Sequence, residues 1–236
     1  MRLTRNFTER ELNTISWPSF ESSYTPISHS SILDMLREEG DKNNLNLSNL
    51  KMIGNSSGTK LLGIMDVIGD DLNYGMRIAF RNSYDKSIPF GLALGAVVFI
   101  CSNSVIAGEV NYRRKHIGDA IADTKEYISE GLKYIKEIYS KSIEDATKLS
   151  TIGIDRSTTY DLIGRMFIDE GIINSMQLNI VKEQLLNSQN FTPITEYNFT
   201  AWDLYNAVTE SLKKSHPTTY IADHANLHTL MLDQFA

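Results

Sequence analysis

Residues 60–101 read KLLGIMDVIGDDLNYGMRIAFRNSYDKSIPFGLALGAVVFIC, and this stretch decides the fold class. Lys60 to Ile68 is apolar and strand-like, and Gly69-Asp70-Asp71 is turn chemistry. From Tyr74 to Phe80 the pattern has a period of two: Met76, Ile78 and Phe80 alternate with Arg77, Ala79 and Arg81. Such a period assigns the first set to a core and both arginines to the opposite face. Asn82 to Ser87 reads as a polar loop. Ile88 to Cys101 is then nearly continuous in apolar residues, with Gly91 and Gly95 inside it. That run is a strand buried on both faces or one bent at its glycines, and it is too short and Gly-rich to span a bilayer. Two or three antiparallel strands with short connections follow from the block.

Downstream the period changes. From Ile117 on, Ile121, Ile128, Leu132, Ile135, Tyr139, Ile143, Ala146 and Leu149 recur at helical steps, with Lys125, Glu126, Glu130, Lys133, Lys136 and Glu137 on the other face. The pattern predicts one long amphipathic helix from Gly118 to Lys148, about 45 Å in length. It overhangs a small sheet or pairs with another chain, and the lack of a strict heptad disfavours a two-stranded coiled coil. The last third reads as helices throughout. Thr158 or Thr159 caps Asp161–Glu170, Ser175 caps Met176–Leu186, Thr200 caps Ala201–Lys214, and Asp223–Phe235 closes the chain.

Upstream, residues 1–30 are rich in Ser, Thr, Asn and Pro, with Trp17, Phe20 and Tyr24 as apolar islands, which reads as an arm that packs against the body or a partner. Ser30-Ser31 precede a short helix, Ile32–Glu39, which Gly40 stops; Asp41–Asn49 reads as loop. The expected class is α+β: a small antiparallel sheet (residues about 60–110) packed by a long amphipathic helix, then an all-helical C-terminal part. The expected organisation is an arm (1–30), a core with the long helix (31–150) and a helical part packed on it (151–236).

Composition narrows the function classes. With 42% hydrophobic and 22% charged residues the chain is globular rather than disordered or collagen-like. One cysteine, Cys101, allows no internal disulfide and suits a reducing compartment. A net charge of −6 argues against a free-standing duplex-DNA binder, whose affinity rests on neutralising phosphates. The first residues, MRLTRNFTERELN, lack the apolar core of a signal peptide, so a soluble cytosolic protein is expected, with no membrane partner.

Four constellations invite chemistry. Arg77, Arg81 and Lys86, then Arg113-Arg114-Lys115-His116, would converge on one sheet edge if their strands pair, making an anion site. The competing reading is a solvated connection paired with Glu109 or Asp85. Cys101 with Asn103 and His116 has the makings of a nucleophile, but a thiol ending a buried run is ordinarily inert. His224 and His228 are one helical turn apart but lack a third placed ligand and the glutamate of a metalloprotease helix. Trp202 and Tyr205 read as core fillers rather than base-stacking platforms. No catalytic residue, metal or cofactor is assigned.

At RNSYDKSIPFGLALGAVVFICSNSVIAGEVNYRRKH, residues 81–116, the chain resembles the phage- and plasmid-encoded domain-of-unknown-function family numbered 932. Arg81, Asn82, Ser83, Asp85, Lys86 and Ser87 match its R-N-S-x-D-K-S loop. Phe99, Cys101 and Asn103 match its V-F-V-C-x-N run, Gly108 and Glu109 its S-G-E, and Arg114, Lys115 and His116 its R-K-H. Trp202, Tyr205, Asn206, Ala207, Thr209 and Glu210 match a pattern near the end. Ser102, Ser104 and Ala107 depart from it. The resemblance implies a mobile-element origin and a host-cell cytoplasmic location, and implies no activity. The strand–strand–strand–helix order also looks like the core of single-strand annealing recombinases, an analogy of fold.

Two readings follow. The first is a non-enzymatic accessory protein, a homo-oligomer, that holds single-stranded nucleic acid or another anion through Arg77, Arg81, Asn82, Lys86, Arg113, Arg114, Lys115 and His116. The second is a phage anti-defence protein that blocks a host immune protein by contact or sequesters a nucleotide signal.

Overall fold

The structure is a computed structural model that describes residues 4–21, 24–68, 74–98, 103–106 and 112–235. Its strands are β1 (Thr4–Asn6), β2 (Asn46–Asn55), β3 (Lys60–Ile68), β4 (Tyr74–Ser83), β5 (Phe90–Val98), β6 (Asn103–Ile106) and β7 (Tyr112–Arg114). The helices are α1 (Glu9–Leu12), α2 (His29–Lys42), α3 (Ala120–Lys133), α4 (Ile135–Thr151), α5 (Arg156–Gly164), α6 (Ser175–Asn187), α7 (Ala201–Leu212) and α8 (Tyr220–Phe235), with a π-helical turn, Arg165–Asp169, after α5. The strands form one antiparallel sheet in the order β1-β2-β3-β4-β5-β6, and β7 also pairs with β5. β6 takes the Gly95–Val98 half of β5 and β7 the Phe90–Leu92 half. The mixed class and the β3-β4-β5 meander are as the periodicities predict.

The sheet is larger than expected on its N-terminal side. β2 includes Asn46–Asn49, read as loop from its polar residues; Asn49 sits at positive φ where the β2–β3 register shifts, a bulge that polar residues tolerate. α2 starts at His29 behind the Ser28 cap and runs through Gly40, where an added Cβ would lie 2.7 Å from the Leu47 side chain. Gly40 is there for close packing and not as a stop. Gly63, mid-strand, faces Phe80 across the β3–β4 pair, and a Cβ on it would meet the Phe80 ring at 2.1 Å.

The expected single helix from Gly118 to Lys148 is interrupted at Tyr134, which leaves helical geometry with φ −101° and ψ 7°. Two separate cores explain the break. Ile128 and Leu132 of α3 pack with Ile32, Leu33 and Leu36 of α2 against Ile78, Phe80, Leu92 and Leu94 of the sheet. Ala146 and Leu149 of α4 belong to a second core with α7, α8 and the Ala96, Val98 and Val105 end of the sheet. One straight stripe cannot serve both directions. In the last third the helices lie close to where they were expected, but Asp155 caps α5 and Asn174 caps α6, while Thr200 caps α7 in a reciprocal pair with Asp203. Among the described residues no helix is long and apolar enough to cross a membrane.

Candidate functional site

The polar loop after β4 closes on itself. Ser83 Oγ donates to the Ile88 carbonyl at 2.8 Å and accepts from the Ile88 amide. Asp85 accepts from the Ser87 amide at 3.1 Å and pairs with Lys60 at 3.2 Å. Lys86, in the left-handed region at φ 62°, reaches back to Glu21 at 2.8 Å with its ammonium 4.5 Å over the Tyr24 ring. Asn82 is fully buried on the other face of the strand, where its amide donates to the Ile27 carbonyl at 2.8 Å and lies 3.0 Å from His29 Nδ1. His29 Nε2 is 2.9 Å from the Gly58 carbonyl. An amide donor on Nδ1 and a carbonyl on Nε2 define a neutral imidazole with its hydrogen on Nε2. The Tyr84 ring stacks on His29 at 4.0 Å, and its hydroxyl accepts from the His29 amide at 2.7 Å.

His116 arrives at the same end from β7. It is buried, its ring lies 5.7 Å from that of Tyr24, and its carbonyl accepts from the Thr25 amide at 2.9 Å. Burial pushes its pKa below the ordinary imidazole value, opposed by the Thr25 backbone. Among the described residues neither ring nitrogen meets a partner within hydrogen-bond geometry, and neither does Asn82 Oδ1. Loop, N-terminal segment and His116 thus form one polar cluster that fastens residues 24–29 to the β4–β5 turn.

The two strand arginines occupy the opposite face, as the alternation requires, but that face is covered too. Arg77 Nε donates to Asp66 at 2.7 Å and its Nη1 to Ser104 Oγ at 2.8 Å; Ser104 in turn lies 2.9 Å from the Tyr220 hydroxyl. Asn49 Nδ2 is 3.3 Å from the second Asp66 oxygen. Arg81 crosses Gly91, where an added Cβ would sit 3.1 Å from its Nε, and its Nη1 donates to the Thr218 carbonyl. The cover is the first turn of α8 and the residues before it, with Tyr220 and Ile221 packed on Leu62, Ile64, Ala79 and Ala93. Both arginines are therefore buried, at 6% and 8% exposure, where solvent-facing side chains would suit a simple anion patch.

Pairing does bring the two basic groups together along the backbone. β5 joins β4 on one side and β7 on the other, so Arg81, Gly91 and Arg113 form one cross-strand row and Arg114 pairs with Phe90. Lys115 follows and is exposed. Arg77 stands in a separate row, opposite Gly95. The side chains of Arg113 and Arg114 lie outside the described residues, as do Cys101 and Glu109. Asp66, Ser104, Tyr220, His29 and Tyr84 were not anticipated, although an acid inside the apolar KLLGIMDVI signals a buried partner.

The C-terminal histidines separate into two environments. His224 is buried with its ring 4.5 Å from that of Tyr220. His228 lies 3.2 Å from Asp145 and 3.4 Å from the Tyr205 hydroxyl. Burial lowers its pKa, against the opposing pull of Asp145. Among the described residues no group of three His, Cys, Asp or Glu side chains is placed to hold a metal. Trp202 and Tyr205 stack at 5.3 Å and are buried, so they fill the second core.

No curated protein and no solved structure matches the chain. The family described as Domain of unknown function (DUF932) matches residues 18–231. That span takes in the clamp at the β4–β5 turn, the buried arginine network and the helices that cover it, and the chain belongs to this family.

Proposed function

We propose that the chain is a non-enzymatic accessory protein that binds single-stranded nucleic acid at the end of the sheet where β4, β5 and β7 meet. The observation that supports this is the cross-strand row Arg81–Gly91–Arg113, flanked by Lys115 and by Lys86 on the adjoining turn. Direct phosphate contact falls to Lys86, Lys115, Arg113 and Arg114. Arg77 and Arg81 are held inside and shape the strand end. The Lys86–Glu21 pair is half-exposed, and such surface pairs are worth about 0–1 kcal/mol, so a phosphate exchanges for Glu21 at little cost. With a net charge of −6 on the whole chain, attraction is confined to this end. The test is a salt titration with a labelled single-stranded oligonucleotide. Lys86→Ala and Lys115→Ala should each weaken binding and each reduce the salt slope by roughly 0.7, the loss of one phosphate contact. Absence of binding at low salt, or unchanged slopes in both variants, overturns the reading.

A second reading, contact with a host protein, is favoured by one specific observation. Trp17 and Phe20 are 46% and 60% exposed and stand edge to face at 6.1 Å. Aromatic anchors of this kind dominate protein interfaces. Because Phe7, Leu12 and Ile27 are core residues, deleting the N-terminal segment would damage the fold; Trp17→Ala with Phe20→Ala is the cleaner test. Loss of host-protein capture with oligonucleotide binding intact would favour this reading, and unaltered capture would remove it.

A further inference from the structure

A cavity of about 400 Å³ lies between α5 and α6. Its floor is Val181, Leu185 and Ile194, which are buried members of the second core. Its rim includes Tyr160 and Leu186, which are 56% and 42% exposed. The single charged side chain lining it is Lys182, one residue past Val181 on α6. Lys182 is exposed and has no ion pair or hydrogen bond among the described residues. The volume falls in the range of clefts that hold small molecules, and the walls are of the apolar kind such clefts present.

We propose that this cavity binds an apolar molecule carrying one anionic group, of the class of a medium-chain carboxylate. Charge and shape together select that occupant. The apolar floor rewards a hydrocarbon tail by removing it from water. The lone ammonium matches one negative charge; a nucleotide or polyphosphate would bring several to a site with one cation and an apolar wall. A long lysine stem can lie along apolar surface while its head stays in water, so Lys182 serves as wall and counter-charge at once. The inference is independent of the nucleic-acid reading, since the cavity shares no residue with the β4–β5 turn or β7.

The experiment is an NMR titration of the full chain with sodium decanoate and, separately, with 1-decanol. Decanoate should saturate a single site, with shifts centred on the methyl groups of Val181, Leu185 and Ile194. Lys182→Gln, at an exposed position that leaves the core untouched, should weaken decanoate about threefold, the effect of one surface charge pair, and leave decanol unchanged. Lys182→Glu should weaken decanoate further. The proposal is overturned by equal binding of the two probes, by shifts centred elsewhere, by failure to saturate, or by sedimentation showing that a second copy of the chain occupies the cavity.

Discussion

Acidification from pH 7 to pH 5 should destabilise this protein by a magnitude set by two buried histidines. His29 is fully buried, with Nδ1 facing the Asn82 amide donor and Nε2 the Gly58 carbonyl, so a second ring proton would point at a donor. Burial, partly opposed by the Gly58 carbonyl and assisted by nearby His116, pushes its pKa down to about 4. His224 is pushed down to about 3, chiefly by burial and then by the charge of Arg77, with the Ser104 backbone opposing. In the unfolded chain both titrate near 6.5. Because the folded values are lower, the unfolded chain binds more protons between 6.5 and the folded values, and stability falls as pH falls through that window. At pH 5 each histidine contributes a loss of about 2 kcal/mol, hence about 4 kcal/mol together, against a total of about 5–15 kcal/mol for a typical domain. His116 and His228 act in the same direction. Asp223, raised by burial, acts in the opposite one, since its carboxyl takes up a proton more readily in the fold. Urea unfolding at the two pH values reads the difference, and His29→Gln should remove about 2 kcal/mol of it whatever that variant does to stability at pH 7. Equal stability at pH 7 and pH 5, or a full pH dependence retained in His29→Gln, would refute the assignment of neutral buried imidazoles.

Two further outcomes follow from packing. Asp66→Asn removes the carboxylate that pairs with the buried Arg77 guanidinium and should cost about 3–5 kcal/mol in urea unfolding, whereas Asp66→Leu with Arg77→Met should recover most of that loss. Gly63→Ala places a methyl 2.1 Å from the Phe80 ring, so Phe80 must leave its position; a loss of about 1–3 kcal/mol is expected, and a neutral result would mean that the ring moves freely.

Why the alternation from Met76 to Arg81 was readable while its consequence was not has a physical answer. A period of two says which residues share a face and says nothing about what covers it. The cover over Arg77 and Arg81 comes from Thr218 and Tyr220, more than 130 residues along the chain, a contact set by the packing of the start of α8 on the face of β3, β4 and β5. The Asp66–Arg77 pair was closer to hand, since the two lie eleven residues apart on consecutive strands that the β3–β4 register sets opposite each other. The long helix misled for the opposite reason. Its apolar positions obey helical steps on both sides of Tyr134, yet they are shared between two cores, and periodicity does not distinguish one partner from two. The motif residues divide along the same line. Asn82, Ser83 and His116 are buried, and Asn82 and Ser83 are bonded within the clamp that holds the N-terminal segment, so folding alone accounts for Asn82 and Ser83. Lys86 and Lys115 are exposed at the end of the sheet and take no part in either core. Substitutions within the clamp, Lys86 included through its contacts with Glu21 and Tyr24, will therefore report in part on stability, and Lys115 is where loss of ligand can be separated from loss of fold.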